Sequence, residues 1–338
     1  MFLCRLITAV FLSALLVAAV TSRAPAAELE PFRTANRNPL IQGFGIPTET
    51  SAQLVPHHHW QISLSQDIAS LYSSDTTSTE QILLDGELYR WGLIGRYGLT
   101  SNLEVGFELP YLQQTSGFLD SFIIDWHRLW GLPQGGRDTA TNDRLQYRYS
   151  KNGVTLLDIH SRSDGIGDIS LLAGYQLFEQ KTATDHDLLV LRSQLKLPTG
   201  DSAALLGSGS TDVSLFLSGS MQRQAEWGLI AVFGSAGGMY TSSGELLEQQ
   251  RYRLIGFGTA GFGWSPSSSI TLKAQCSFTS PFYKDSSLSE LGKATAQVTF
   301  GGTLNLPGAL LLDIALSEDI AVATAPDVTF HLGLAKRF

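Results

Sequence analysis

The chain has 338 residues, of which 43% are hydrophobic and only 16% charged, and its formal net charge is −8. The acidic balance and the lack of a basic stripe argue against a nucleic-acid-binding protein. With two cysteines, Cys4 and Cys276, the chain is not a disulfide-stapled domain.

A secretory signal peptide is predicted over residues 1–26. Arg5 precedes an apolar run of 15 residues from 6 to 20, and Ala24-Pro25-Ala26 provides a small-x-small cleavage site. A retained membrane anchor is the alternative, but the run is short for a membrane-spanning helix. We therefore expect an exported protein.

Residues 27–58 precede the first predicted strand. They include an apolar stretch from Asn38 to Pro47 that is broken by Gly and Pro. A loosely packed periplasmic arm and a plug inside a barrel lumen both fit this composition. His57, His58 and His59 are not expected to hold a metal, because consecutive residues of a strand point to opposite faces.

Apolar and polar residues alternate in segments of about ten residues, the length of strand that crosses a bilayer at a tilt. Leu103, Val105 and Phe107, for example, alternate with Glu104 and Gly106. Twelve strands are predicted, at 59–70, 81–99, 103–112, 166–178, 187–199, 211–222, 226–240, 252–264, 268–280, 293–306, 308–317 and 327–338. An antiparallel barrel is the fold that this pattern favours.

Charged residues in the middle of these strands identify the face that points into the barrel. A charge turned to lipid at the bilayer midplane costs about 2–4 kcal/mol, so a wet lumen is the expected environment. The predicted lumen charges are Arg90, Arg96, Glu104, Glu108, Arg192, Lys196 and Lys273. Because Ile94, Phe216, Ile230 and Val232 also fall on the predicted inner face, the lumen of this narrow barrel is expected to be filled rather than widely open.

Short and long connections alternate along the chain, as in outer-membrane barrels. The short ones are near 100–102, 222–226, 265–269 and 307–309. The long ones are 71–80, 113–165, 200–210, 241–251, 281–292 and 318–326. An even number of strands places both ends of the barrel sequence on the short-turn side, which is expected to be periplasmic.

The predicted register follows from keeping apolar residues on one face. It pairs Leu99 with Leu103, Leu306 with Leu310 and Trp264 with Ile270. It also places Arg96 diagonally between Glu104 and Glu108, so contacts with both carboxylates are expected.

Residues 113–165 form the longest connection. Apolar residues at helical spacing from 118 to 130 predict a short amphipathic helix. Asn152-Gly153 predicts the turn of a hairpin over residues 144–159. The loop is expected to cover the barrel mouth as a lid or to dip its apolar face into the outer lipid leaflet.

Two stretches near the end of this loop contain residue types that are common in catalytic and phosphate-binding sites. Ser, His and Asp residues cluster there, but closeness in sequence does not make a catalytic triad. They are Asp158, His160, Ser161, Ser163 and Asp164. Gly165-Ile-Gly167-Asp168 begins a strand rather than a helix, which argues against a phosphate-binding loop. No catalytic residue, metal site or cofactor is predicted.

The last strand, 327–338, alternates cleanly and ends on an aromatic residue. Phe330, Leu332, Leu334 and Phe338 share its apolar face. It resembles the closing strand of bacterial outer-membrane barrels, in which this pattern is the signal read by the barrel assembly machinery. An ordinary soluble strand is the alternative.

Motifs spread over the chain after residue 26 carry a resemblance to one family. They are Asn38-Pro-Leu, the loop 118–137 with its Trp-Gly-Leu-Pro and Gly-Gly-Arg, Gly165-Ile-Gly-Asp168 and Leu195-Lys-Leu-Pro-Thr-Gly200. The chain resembles an uncharacterised family of bacterial outer-membrane β-barrel proteins, a domain of unknown function. This resemblance implies a fold and an outer-membrane location, but no activity.

We therefore expect an all-β protein, a transmembrane antiparallel up-and-down β-barrel with short periplasmic turns and long extracellular loops. The leading functional hypothesis is passive or gated transport of a small or amphipathic solute. The expected partners are outer-membrane lipid, the barrel assembly machinery and an unknown small solute. A structural or surface-interaction barrel, an outer-membrane hydrolase and a soluble periplasmic all-β fold are the alternatives.

Overall fold

The computed structural model describes residues 29–131, 134–320 and 324–338, so the predicted signal peptide lies outside the described residues. The strands are β1 (Trp60–Thr76), β2 (Glu80–Gly98), β3 (Leu103–Thr115), β4 (Gln146–Lys151), β5 (Val154–Ile159), β6 (Ser163–Ile166), β7 (Ser170–Lys181), β8 (Asp185–Lys196), β9 (Asp212–Ala225), β10 (Gly228–Thr241), β11 (Leu254–Ser267), β12 (Ile270–Thr279), β13 (Thr295–Leu306), β14 (Leu310–Asp319) and β15 (Val328–Arg337). The helices are α1 (Asp120–Trp130) and α2 (Ser289–Gly292). No described helix is both long and apolar enough to cross a bilayer.

Twelve strands, β1–β3 and β7–β15, form a closed antiparallel barrel. The last strand pairs with the first from Gln61↔Arg337 to Ser70↔Val328, which closes the sheet on itself. Closure removes the exposed strand edges that an open sheet would carry. The predicted twelve-stranded barrel is confirmed.

The two ends of the barrel differ in the length of their connections. At the turn end, the connections are 99–102, 182–184, 226–227, 268–269 and 307–309. At the loop end, four connections are long and comprise residues 116–169, 197–211, 242–253 and 280–294. The long connection predicted at 71–80 is wrong: β1 and β2 continue as a paired hairpin, and Thr77 N–H donates to Glu80 O at 2.8 Å across a tight turn.

The observed registers agree with two of the predicted pairings and correct a third. Leu99 N–H donates to Leu103 O, and Leu306 lies opposite Leu310. Trp264 pairs with Leu272 rather than Ile270, because β11 and β12 continue to a tight turn at 268–269, with one extra residue of β11 at a register shift between Trp264 and Ser267. Such a bulge leaves no trace in the alternation of apolar residues.

Alternation separates the two faces of the barrel wall. Leu215, Leu217, Leu272 and Phe300 are exposed on the outer face, which is the pattern of a lipid-facing wall. Ile94 and Phe216 face inward and are buried, as predicted. Ile230 and Val232 were placed on the inner face by the sequence, and this was wrong. Val232 is exposed on the outer face, and Ile230 lies on the same face of β10. The alternation of faces in this glycine-rich strand is therefore shifted by one residue from the predicted one.

The hairpin β4–β5 extends the barrel above the loop end. β4 pairs with β2 from Glu80↔Lys151 to Asp85↔Gln146. The hairpin turns at Asn152 and Gly153, which have φ values of 51° and 76°. Two consecutive left-handed residues are the requirement of the turn that Asn-Gly favours.

Helix α1 packs against the outside of the barrel. The ring of Phe122 lies 5.8 Å from that of Phe330, and Ile123 is buried beside Val328. Phe118 N–H and Leu119 N–H, just before the helix, donate to the carboxylate of Glu87 and so fix the start of α1 to β2. The apolar face of α1 is therefore covered by the wall of β14, β15 and β1. The part of the loop that covers the mouth is the hairpin β4–β5, whose Tyr147 and Tyr149 are buried there.

Candidate functional site

Residues 29–58 lie inside the barrel, and we call this segment the plug. The chain rises from Phe32, whose N–H donates to Gln275 Oε1 at 2.9 Å, to Gly43 near the loop end, whose O accepts from Lys196 Nζ at 2.8 Å. It then descends to the turn end, where His58 N–H donates to Gly98 O at 2.9 Å. The plug therefore forms a long hairpin with both arms in the lumen.

The tip of the plug is a turn that its sequence favours. The Oδ1 of Asn38 accepts from Leu40 N–H at 2.9 Å, and its backbone O accepts from Ile41 N–H and Gln42 N–H at 2.8 Å. Pro39, which follows Asn38, presets the backbone angle that such a turn needs. The motif therefore reverses the chain at the top of the lumen.

Apolar residues of the tip close the loop end of the barrel. Leu40, Ile41 and Phe44 are buried in one cluster with residues of the loops and of the hairpin β4–β5. Phe44 lies 5.2 Å from Phe282 between ring centroids, and Tyr283 Oη donates to Leu40 O at 2.6 Å. We call this cluster the apolar cap. The loop end is therefore packed like the interior of a soluble protein.

One side of the inner wall is charged, and we call it the charged face. It belongs to β1–β3, β8 and β9 and to the residues that precede β7. Its residues are Asp67, Arg90, Arg96, Glu104, Glu108, Asp168, Arg192, Lys196 and Asp212, all of them buried. Six of the seven predicted lumen charges lie here; Lys273, on β12, pairs with Asp313 at 3.0 Å.

Ion pairs connect the charges of this face to each other. Arg96 donates to Glu104 at 2.9 Å, and Arg192 donates to the same carboxylate at 2.7 Å. Arg90 takes Glu108, so the expected contact of Arg96 with Glu108 is wrong. Arg90 reaches Glu108 past Gly92, which has no side chain to block it, whereas Arg96 is engaged by Glu49 and Glu104.

The plug carries the counter-charges that sequence reasoning missed. Arg37 pairs with Asp67 at 2.6 Å, and Glu49 pairs with Arg33 at 2.6 Å and with Arg96 at 3.2 Å. Asp67 also contacts His331 Nδ1 at 2.6 Å. The period-two pattern of β1 and β15 could have placed Asp67 and His331 on the inner face. The irregular plug has no periodicity that would place its charges.

Electrostatics keep the central plug carboxylate ionised. Burial opposes ionisation of Glu49, but the Arg33, Arg96 and Arg192 guanidiniums outweigh it and hold the pKa of this carboxyl well below its usual range. The plug backbone joins the same network. Gly45 N–H donates to Asp212 at 2.8 Å, Val55 N–H donates to Glu104 at 2.8 Å, and Arg192 donates to Ser51 O at 2.6 Å.

The opposite side of the inner wall bears amides and hydroxyls, and we call it the uncharged face. Its residues on β10–β13 are Ser235, Thr259, Gln275, Ser277, Thr279, Thr295 and Gln297. The hydroxyls of Thr279 and Thr295 bond to each other at 2.8 Å. Gln275 holds the plug here through the N–H and O of Phe32.

The two faces hold the plug with different strength. Separating a buried ion pair leaves an uncompensated charge and costs about 3–5 kcal/mol. Losing a neutral hydrogen bond costs about 1 kcal/mol. The plug is therefore bound firmly to the charged face and weakly to the uncharged face.

Two small cavities lie beside the plug. One of about 40 Å³ borders the charged face at Arg90, Glu108 and Lys196. The other, of about 20 Å³, borders the uncharged face at Thr259, Ser277 and Gln297. Each has room for only one to a few water molecules, and the side chain of Ile46 lines both.

The other residues considered from the sequence form no second site. His58 Nδ1 contacts Tyr97 Oη at 3.1 Å, and His59 Nδ1 contacts His57 O at 2.9 Å. Ser163 donates to Ala204 O instead of a histidine, and His160 lies 3.8 Å from Asp158 on the exposed surface. Ser161 and Asp164 are also exposed. Phe330, Leu332, Leu334 and Phe338 all point outward from the last strand.

The chain belongs to a family described as "Protein of unknown function (DUF3187)", whose model matches residues 7–338. No curated protein matches the chain. Among solved structures, it is similar to the COG4313 outer membrane channel from Pseudomonas putida F1, with 16% identity and a TM-score of 0.51 over 85% of this chain and 98% of that one. This likeness shows the fold of an outer-membrane β-barrel.

Two more distant likenesses have lower scores. LpxR from Salmonella typhimurium is 8% identical, with a TM-score of 0.42 over 82% of this chain and 99% of that one. The Pseudomonas putida toluene transporter TodX is 12% identical, with a TM-score of 0.31 over 89% of this chain and 91% of that one.

Proposed function

We propose that this protein is a bacterial outer-membrane barrel for gated, passive passage of a small solute, with the plug as the gate. The observation that carries the proposal is that the plug fills the lumen through polar contacts, with ion pairs such as Glu49–Arg96 on one side and neutral hydrogen bonds such as Phe32–Gln275 on the other. Water can replace the neutral contacts when a segment moves, whereas a plug packed through apolar groups would expose them. The lumen below the apolar cap is thus built to be reopened.

The proposal includes an orientation and a route of assembly. The turn end faces the periplasm, the loop end faces outward, and the apolar outer wall contacts lipid. Phe330, Leu332, Leu334 and Phe338 present an outward apolar row to the assembly machinery. No catalytic residue or cofactor is assigned.

Reconstitution of the purified protein tests the proposal. In planar bilayers we expect brief conductance steps, and in liposomes we expect swelling with small solutes. Heat-modifiable migration on gels identifies preparations in which the barrel is intact. Intact barrels that neither conduct nor swell, in the wild type and in the plug variant Glu49→Gln, would contradict transport.

A surface-interaction barrel is the second candidate, and the apolar cap favours it. This cluster joins the plug tip, the loops and the hairpin β4–β5 into one ordered platform at the loop end. If the platform is the functional part, removal of the β4–β5 hairpin turn should abolish a surface phenotype and leave solute passage unchanged. Transport predicts instead that loosening the cap raises conductance.

A further inference from the structure

We propose that the solute passes between the plug and the uncharged face, and that this path selects small uncharged polar solutes. The inference rests on the proposed transport function and names the route and the class of solute. Three observations carry it: the unequal bonding of the plug, the chemistry of the wall beside it, and the apolar cap above it.

The unequal bonding decides where the lumen opens first. On the charged face, Asp67 and Arg96 hold the plug through charged side chains. On the uncharged face, Gln275 holds Phe32 through neutral hydrogen bonds of 2.9 and 3.4 Å. At the turn-end edge of this face, Lys273 donates to Glu30 O at 3.0 Å, but its charge is paired with Asp313 of the wall. Any small displacement of the plug therefore opens the seam along β10–β13 and leaves the ion pairs in place.

A small cavity already lies along this seam, between the plug and the uncharged face. The cavity of about 20 Å³ lies between plug residues 46–50 and the wall residues Thr259, Ser277 and Gln297. Gln297 is 4% exposed, and within the described residues its Nε2 has no hydrogen-bond partner. The hydroxyl of Ser235 on the neighbouring wall is also without one in the described part of the chain. These groups are free to bond to a guest.

The wall chemistry fits an uncharged hydroxylic solute. Serine and threonine hydroxyls both donate and accept, and a glutamine amide offers both roles from one side chain. Such a surface can exchange hydrogen bonds with a sugar or polyol at each step. An ion gains little here, because the charges of the lumen are paired with one another, most of them on the other side of the plug and Lys273 with Asp313 at the turn-end edge.

The apolar cap adds to this selection. Ile255 and Phe257 of β11 belong to the cap and stand directly above the uncharged face. A solute leaving the seam must pass this apolar rim, where an ion would lose its hydration without a counter-charge. The turn-end side is passable for a neutral solute, since Lys273 there is neutralised by Asp313.

Carboxylates placed on the two sides of the lumen test the route. Thr259→Asp and the near-isosteric Gln297→Glu add a negative charge to the uncharged face. Ser63→Asp is the matched control, because Ser63 is a buried wall hydroxyl on β1, across the lumen. Reversal potentials under a potassium chloride gradient report the permeability ratio of cations to anions. Liposome swelling compares glycerol and arabinose with lysine and glutamate salts.

We expect wild-type liposomes to swell faster with the uncharged solutes than with the charged ones. Thr259→Asp and Gln297→Glu should each raise the cation-to-anion ratio about thirtyfold, because a negative charge about 4 Å from the ion in water favours the cation about fivefold and disfavours the anion by a similar factor. Ser63→Asp should leave the ratio near the wild-type value. Gel migration of the unheated protein confirms that each barrel is folded.

Three outcomes would overturn the inference. A shift in Ser63→Asp without a shift in the other two variants would place the path on the charged face. Equal swelling with charged and uncharged solutes would refute the selectivity. A barrel that passes nothing, in the wild type and in Glu49→Gln, would instead refute transport itself, so the two failures are distinguishable.

Discussion

The two sides of the lumen wall hold the same plug in different ways. The charged face binds it through buried ion pairs and charge-assisted hydrogen bonds, as at Asp67 and Arg96. The uncharged face binds it through the amide of Gln275 and, at the turn-end edge, through Lys273, and it borders a small cavity. The difference shows how one face can keep the plug in the lumen while solute passes along the other face, where the plug is held less firmly.

Loss of the central plug charge should have the largest effect on this arrangement. Glu49→Gln leaves Arg33 and Arg96 without a shared carboxylate, which weakens docking by about 3 kcal/mol. We expect the open fraction in planar bilayers to rise about a hundredfold. The larger opening should also remove the preference for uncharged solutes in swelling assays.

Asp125→Asn is the control for this variant. It breaks an exposed ion pair with Arg128 on α1, far from the lumen, and exposed pairs contribute little. Its conductance should equal that of the wild type. If Glu49→Gln behaves like Asp125→Asn, the ion pairs do not hold the gate.

Loss of the amide on the uncharged face should have a smaller and different effect. Gln275→Ala removes two hydrogen bonds to Phe32, one of them weak at 3.4 Å, or about 1 kcal/mol of docking. We expect openings about five times more frequent, with the preference for uncharged solutes retained. Loss of that preference would show that Gln275 anchors the plug as Glu49 does.

A change on the outer wall should leave both faces of the lumen unaffected. Phe338→Ala removes an outward aromatic side chain that is 63% exposed and does not contact the plug. We expect less protein in the outer membrane, because the proposed assembly signal is weakened, but unchanged conductance per barrel. Quantitative blotting of membrane fractions measures the first, and single-channel recording measures the second. Wild-type protein levels would make the terminal aromatic incidental.

Much of the wall was predictable from sequence because a strand repeats every two residues. Arg96, Glu104 and Arg192 were placed on the inner face by that period alone. The same period gave the wrong faces in β10, because glycines stand where apolar residues would mark the outer face. Ile230 and Val232 were therefore assigned to the inner face. It also ended β1 too early, because Ser73 to Thr76 look like loop residues although they pair with β2.

The plug was only partly predictable, because its structure depends on the wall around it. The Gly and Pro residues between Asn38 and Pro47 indicated a break in regular structure, and the chain does turn at Asn38. Arg33, Arg37 and Glu49 could not be assigned partners, since each partner is distant in sequence or lies in an equally irregular segment. Their positions follow from charge matching within a closed lumen, which no local pattern encodes.

A reversible crosslink between the plug and the charged face tests most directly that the plug stays there while solute passes. A Cβ added to Gly45 would lie 3.1 Å from Cβ of Asp212, so a disulfide between Gly45→Cys and Asp212→Cys needs a shift of only a few tenths of an ångström. The pair is introduced with Cys276→Ser, and the reduced protein serves as its own control. We expect liposomes with oxidised and reduced protein to swell equally fast with arabinose. Swelling that stops on oxidation and returns on reduction would show that the plug must leave the charged face, and would contradict the proposed path.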